Sequence, residues 1–250
     1  MLDVRIGLCG FTMAFADYVR EFSVVEVQQT FYQPPGDATL LRWRRRAPPG
    51  FEFTLKAWQL ITHEASSPTY RRLRLPLGAA ERRDCGSFRS TPVVLAAWKR
   101  TLECTRLLRA TAVLLQCPRS FRATPENAER MRAFFAAVER PRDVRILWEP
   151  RGPWPAELVR DLCRELDLVH VVDPLQTDPW QTDSCQTDTV TPERTYYRLH
   201  GTSGMRHVHT DDELAAVAAT LPADGTAYVL FNNLPRIADA RRFATMVGAT

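Results

Sequence analysis

Eight short apolar segments recur along the chain, and a stretch of helical periodicity separates most of them from the next. No other property of the 250 residues restricts the fold so strongly. The segments are VRIGLC (4–9), SVVEVQ (23–28), FEFTLK (51–56), AVLLQC (112–117), VRILWE (144–149), LVHVVD (168–173), TYYRLH (195–200) and AYVLFN (227–232). They are rich in Val, Ile, Leu, Phe and Tyr, which suit a pleated, half-buried surface. The intervening stretches carry helix signals. Asp37 is an N-cap for 37–46. Leu95, Trp98, Leu102 and Leu108 fall close to one face of 92–109. Thr-Pro-Glu opens 124–139, with proline at the first helical position. Leu158, Leu162 and Leu166 recur every fourth residue in 155–166. Thr210 and Glu213 have capping-box spacing, and IADARRFATMV stops before Gly248.

Strands that alternate with helices imply βαβ units and a parallel sheet. Eight such units in about 250 residues match one TIM (β/α)8 barrel, expected to occupy 1–250 as a single domain. The competitor is an open doubly wound sheet. GLCGFTMAF, after the first segment, lacks the G-x-G-x-x-G signal that would favour it. Two stretches break the rhythm: 57–90, rich in Arg and Ser, and 174–194, with QTDPWQTDSCQTDTV inside it. The second reads as a mobile loop on the functional face or as an insertion without a role. The sequence leaves the part played by 176–190 open.

In such a barrel the chemistry sits at the C-terminal ends of the strands. Those ends are unusually polar: Glu26, Lys56, Gln116, Glu149 with Arg151, Asp173, Arg198 with His200, and Asn232 with Asn233. A barrel built only for stability needs none of them, because a buried charge costs several kcal/mol unless it is paired. The expected site therefore uses Glu26 and Glu149 as acid/base groups, one of them raised in pKa by desolvation. Salt-bridging to Lys56, Arg151 or Arg198 is the alternative for both. Lys56 reads as a charge clamp, with amine nucleophile as the other option, and His200 joins the catalytic set. Tyr32, His63, Gln116, Arg151, Asp173, Arg198, Asn232 and Asn233 are the expected substrate-binding groups. Gly201 and Gly204 in RLHGTSG would let backbone amides approach an anion, or are simply turn glycines. No cofactor motif is present. A divalent metal held by Glu26, Glu149, Asp173 and His200 stays open, although no compact ligand motif supports it. His170 reads as a core residue, and His207 and His209 as loop residues.

Composition narrows the setting. The net charge of +4 is mild for a dedicated nucleic-acid binder. Arginines do cluster at 42–46 and 70–83, where they form a solvated face or contact phosphates; Trp58, Phe88 or Trp180 would then stack on bases. Of 33 basic residues only Lys56 and Lys99 are lysine. The six cysteines form no C-x-x-C and read as small buried residues. No apolar run reaches the roughly 20 residues of a membrane span, and the start lacks signal-peptide character. A cytoplasmic protein without membrane contact is expected; the oligomeric state is not readable.

IGLCGF, VVEVQQTFYQPP, GFEFTLKAWQLITH, LLQCPRSF, WEPRGPW, HVVDP, YYRLHG and YVLFNN appear in one order across nearly the whole chain. In this the sequence resembles the domain-of-unknown-function family 72, also called YecE-like, and WEPRGPWP and CRELDLVHVVDP resemble its archaeal-type branch. The resemblance implies a TIM barrel. It carries recurrent polar positions onto Glu26, Tyr32, Lys56, Thr62, His63, Gln116, Glu149, Arg151, Asp173, Arg198, His200, Asn232 and Asn233. It implies no established activity, and LCGF stands where many relatives have TSGW. Three functions compete. One is an enzyme on a phosphorylated or otherwise anionic substrate, such as a hydrolase, with glycoside hydrolysis ranked lower. The others are a nucleic-acid-binding or nuclease-like protein and a non-catalytic ligand-binding or scaffold barrel.

Overall fold

The structure is a computed structural model that describes residues 1–175 and 194–249. Eight parallel strands close into a ring in chain order. They are β1 (Leu2–Cys9), β2 (Val24–Val27), β3 (Glu52–Lys56), β4 (Ala112–Gln116), β5 (Arg145–Glu149), β6 (Val169–Val172), β7 (Arg194–Leu199) and β8 (Gly225–Phe231). The last seam is long, from Leu2 opposite Gly225 to Leu8 opposite Phe231. The expected barrel is therefore the fold, and each of the eight segments supplies one strand.

The long helices are α3 (Asp37–Arg46), α6 (Pro92–Leu108), α7 (Pro125–Ala137), α8 (Ala156–Glu165), α9 (Asp211–Ala219) and α10 (Arg236–Met246). Most of their signals are realised; Asp37 is not the N-cap of α3, because Gly36 takes that position without a side-chain bond and Asp37 opens the helix. Thr124 and Thr210 cap α7 and α9 through their side chains, and Glu213 completes the capping box. There are four short helices, α1 (Phe15–Glu21), α2 (Gln29–Tyr32), α4 (Gln59–Thr62) and α5 (Ala79–Asp84); only α5 has a side-chain cap, Glu81 accepting the Gly78 amide at 2.7 Å. Two of them, with a 3-10 turn at Pro68–Arg72, lie in 57–90, so that excursion is locally ordered. The QTD repeats and the rest of 176–193 lie outside the described residues.

Alternation positions the site. Inside the ring, Val24, Leu114, Leu147, Val169, Val171, Tyr196 and Leu230 pack as one apolar plug. Two residues further along their strands, the same inward face continues as Glu26, Gln116, Glu149, Asp173, Arg198 and Asn232, because strand side chains repeat with period two. At the opposite end Tyr228 closes the ring, donating to Glu52 at 2.8 Å and accepting from Arg145 at 2.6 Å.

The β1–β2 seam is unusually tight. A Cβ on Gly7 would lie 2.1 Å from the Val24 carbonyl oxygen. Here the Tyr18 hydroxyl accepts from the Leu8 amide at 2.9 Å and donates to the Val24 carbonyl at 2.9 Å. Tyr18→Phe would bury both backbone groups without a partner. It is expected to lower unfolding free energy by about 1–3 kcal/mol, read by urea denaturation.

Candidate active site

Arg198 sits at the centre of the mouth. It is 1 % exposed and comes from β7. Its Nη2 donates to Glu26 Oε1 from β2 at 2.9 Å, and its Nη1 donates to Glu149 Oε2 from β5. Glu26 is fully buried and also accepts from Gln28 and, at 3.0 Å, from the Tyr196 hydroxyl. Thr54 supports that hydroxyl at 2.9 Å.

Glu149 is the busiest group. Its Oε1 accepts from Gln116 at 3.0 Å, from Arg151 at 3.1 Å, and meets His200 Nε2 at 3.0 Å. Burial alone would raise this carboxyl. Arg198, then His200 and Arg151, outweigh burial and hold it well below the usual carboxylate range. The expected raised carboxyl is thus not Glu149, because the charge that opposes burial lies in direct contact. Arg198 is correspondingly held well above its usual value by Glu149 and Glu26, against burial. Asp173 is raised by burial; its carboxylate accepts the His200 amide at 2.8 Å and the Leu175 amide at 3.2 Å. Asn232 reaches His200 Nδ1 at 3.0 Å.

Lys56 is set apart from this pairing. It donates to Gln116 Oε1, and its Nζ lies 3.6 Å from the Phe31 ring centroid. Burial, then Arg198, lowers it to about 7. His63 packs edge-on against the same ring at 4.9 Å and shares a 2.8 Å hydrogen bond with Thr62. Burial, then Lys56, lowers His63 to about 3. Tyr32 lies beside this group, with the Arg72 guanidinium 4.2 Å above its ring.

Glu26, Lys56, Gln116, Glu149, Arg151, Asp173, Arg198, His200 and Asn232 therefore converge at one mouth, with His63, Thr62 and Tyr32 at its β3 side. Asn233 does not join them. It is fully buried and donates to the His207 carbonyl at 2.9 Å and to Asp239 beneath α10. Gly201 (φ 87°) is explained by packing, since a Cβ there would lie 2.5 Å from His207 Cβ. His207 and His209 are tied to Glu213 and Asp239 at 2.8 and 2.9 Å. His170 lies between inward-facing Val169 and Val171, so it faces the helical layer. Tyr196, Thr54 and Phe31 were missed among the site residues; Tyr196 and Thr54 sit two residues before Arg198 and Lys56 and were legible from that alternation.

Two further expectations need correcting. Trp58 and Phe88 are 8 % and 0 % exposed and belong to the core, so neither can stack on a base. Trp180 lies outside the described residues. The arginines of 42–46 are partly structural: Arg44 donates to the Phe51 carbonyl at 3.0 Å and covers Phe53. Among the described residues no three His, Cys, Asp or Glu side chains are placed to hold a metal. Glu26 and Glu149 already direct their oxygens at Arg198. Five cysteines are free and buried, while Cys185 lies outside the described residues.

The family model described as "Protein of unknown function DUF72" matches residues 12–250. The chain belongs to the DUF72 family. A crystal structure of a DUF72 family protein from Enterococcus faecalis superposes with a TM-score of 0.73 at 19% identity, covering 99% of this chain and 98% of that one. Barrels of other description share the fold. D-psicose 3-epimerase, solved in the presence of D-fructose, gives 0.59 at 12% identity over 97% of both chains. Endonuclease IV from Thermus thermophilus gives 0.57 at 14% identity over 98% of this chain and all of that one. No curated protein matches the sequence. The DUF72 assignment thus fixes a TIM-barrel family and leaves the chemistry to be argued from the mouth.

Proposed function

We propose that the barrel mouth of this DUF72 protein is the active site of an enzyme acting on a small phosphorylated or otherwise anionic substrate. One observation carries the reading. Arg151 is 30% exposed and shares the single carboxylate of Glu149 with Arg198 and His200. Among the described residues its Nε and Nη2 meet no acceptor, so a cation stands at the rim with donors aimed at nothing. Guanidinium donors suit a phosphate or carboxylate oxygen pair. Glu149 would fix Arg151, Arg198 and His200 in place. Proton transfer would fall to His200 and to Lys56, whose value near 7 suits a group that gives and takes protons at neutral pH.

The test is direct. At constant ionic strength, inorganic phosphate is expected to raise the melting temperature of the native chain. Arg151→Gln should weaken phosphate binding at least tenfold by titration calorimetry, about 1.4 kcal/mol. A native chain whose melting ignores phosphate would defeat the reading.

Exposed Arg71 and Arg74, beyond the β3 end, also support a phosphate-bearing ligand as long as a nucleic acid. That version predicts a low-salt complex in a gel shift, and hydrolysis of a phosphate ester would be its chemistry. The WEPRGPWP and CRELDLVHVVDP forms support placement in the archaeal-type, YecE-like branch. We read 1–250 as one domain working in the cytoplasm; among the described residues no helix is long and apolar enough to cross a membrane.

A further inference from the structure

Lysine is almost absent from this chain, and one of its two lysines lies buried in the mouth. Lys99 is exposed on α6, whereas Lys56 is 6 % exposed at the end of β3. The other strong cations there, Arg198 and Arg151, are guanidiniums. A cation wanted only for its charge or for paired hydrogen bonds could be arginine here, as it is almost everywhere else in the chain. An amine offers what a guanidinium cannot: it loses its proton within the physiological range and then has a lone pair to share.

The surroundings of Lys56 favour that use. Among the described residues no carboxylate pairs with it, because Glu26 and Glu149 both turn to Arg198. Its contacts are a ring face and a neutral amide, Phe31 and Gln116. Burial first, and then the Arg198 guanidinium in the same mouth, bias this amine towards its neutral form, outweighing the Glu149 and Glu26 charges and the Phe31 ring face, which favour the charged form. Gln116 holds the nitrogen, and through the 3.0 Å bonds from Gln116 to Glu149 and from Glu149 to His200 it is linked to a proton carrier.

We propose that Lys56 is a carbonyl-capturing amine, whose Nζ condenses with the aldehyde or ketone group of a substrate seated in the mouth. The lone pair of Nζ attacks the carbonyl carbon, and the oxygen takes up a proton to give a carbinolamine. Nζ then gives up its two hydrogens, the oxygen leaves as water, and C=N replaces C=O with no change of oxidation state. The product is an imine held on β3 beside Gln116, which donates to Glu149 at 3.0 Å. The substrate class is a small aldehyde or ketone. That it also carries an anionic group rests on the function proposed above; the capture by Lys56 does not.

The native chain is treated at pH 7 with glycolaldehyde or with dihydroxyacetone phosphate, each with sodium cyanoborohydride, and is digested for mass mapping. An imine reduced in place adds the mass of the probe less one oxygen atom. The Lys56 peptide should carry at least tenfold more label than the Lys99 peptide, and unfolding in guanidinium should erase that preference. At pH 7 a group titrating at about 7 is about half free amine, against roughly one lysine in 2,500 in water. Lys99→Arg should leave labelling of Lys56 intact, and Lys56→Arg should remove it. If neither probe marks Lys56 above Lys99, the capture proposal is wrong. If glycolaldehyde marks Lys56 and the phosphorylated ketone does so no better, the amine stands and the anionic substrate falls.

Discussion

Arg198→Met is expected to lower the unfolding free energy by about 3–5 kcal/mol at pH 7, the usual cost of removing one partner from a buried ion group. Arg198 is 1 % exposed, and its two carboxylate partners are 0 % and 6 % exposed. Methionine fills much of the volume, but it leaves buried Glu26 without its cation and Glu149 with only Arg151 and His200. The penalty should depend on pH, and the sign follows from Glu149. In the native chain its folded pKa is depressed. The stability it provides is complete above the unfolded value, about 4.3, and is lost as pH falls through the lower folded value. Without Arg198 the largest lowering influence is gone and the folded pKa rises. A proton then replaces the guanidinium, so the gap between variant and native chain narrows on acidification from pH 7 to pH 4. Urea denaturation at several pH values reads both effects. A gap that stays constant, or a loss under 1 kcal/mol, would mean that Arg198 is not what neutralises this mouth.

Gly7→Ala should cost about 3 kcal/mol or more, at the upper end of overpacking penalties. The added Cβ would meet the Val24 carbonyl oxygen at 2.1 Å and its Cγ1 at 2.8 Å. The first contact is with backbone, so relief requires β1 and β2 to separate. That seam sets Cys9 opposite Glu26, and parting it displaces Glu26 from Arg198 as well. Gly36→Ala is the control: nothing lies within 4 Å of its added Cβ, and a change within about 1 kcal/mol is expected at this N-cap. Thermal melting separates the two variants. Equal losses would show that the seam tolerates a methyl group.

The barrel and most of its mouth were legible because both rest on short-range periodicity. Glu26, Gln116, Glu149, Arg198 and Asn232 continue an inward-facing apolar face, Lys56 follows Thr54 on the inward face of β3, and period two reports that from sequence alone. The same rule explains why Asn233 is elsewhere. It follows Asn232 by one residue, so its side chain falls on the other side of the chain and serves α10. What the sequence did not disclose is who pairs with whom. Arg198 lies 172 residues from Glu26 and 49 from Glu149. Nothing local says that one guanidinium takes both carboxylates and leaves Lys56 with a ring and an amide. The direction of the Glu149 shift turned on that pairing. Trp58 and Phe88 were misread for a related reason: an aromatic in a polar excursion looks exposed until the core beneath it is known.

The ring of strands described above also governs how such a chain is made. β8 bonds to β7 on one side and to β1 on the other. Until residue 225 and beyond have been synthesised, the growing sheet has two bare edges, each a template for pairing with another chain. Nascent chains stalled before that point should therefore be the sticky ones, and a ribosome that pauses late on this message exposes its product longest when it is nearly finished.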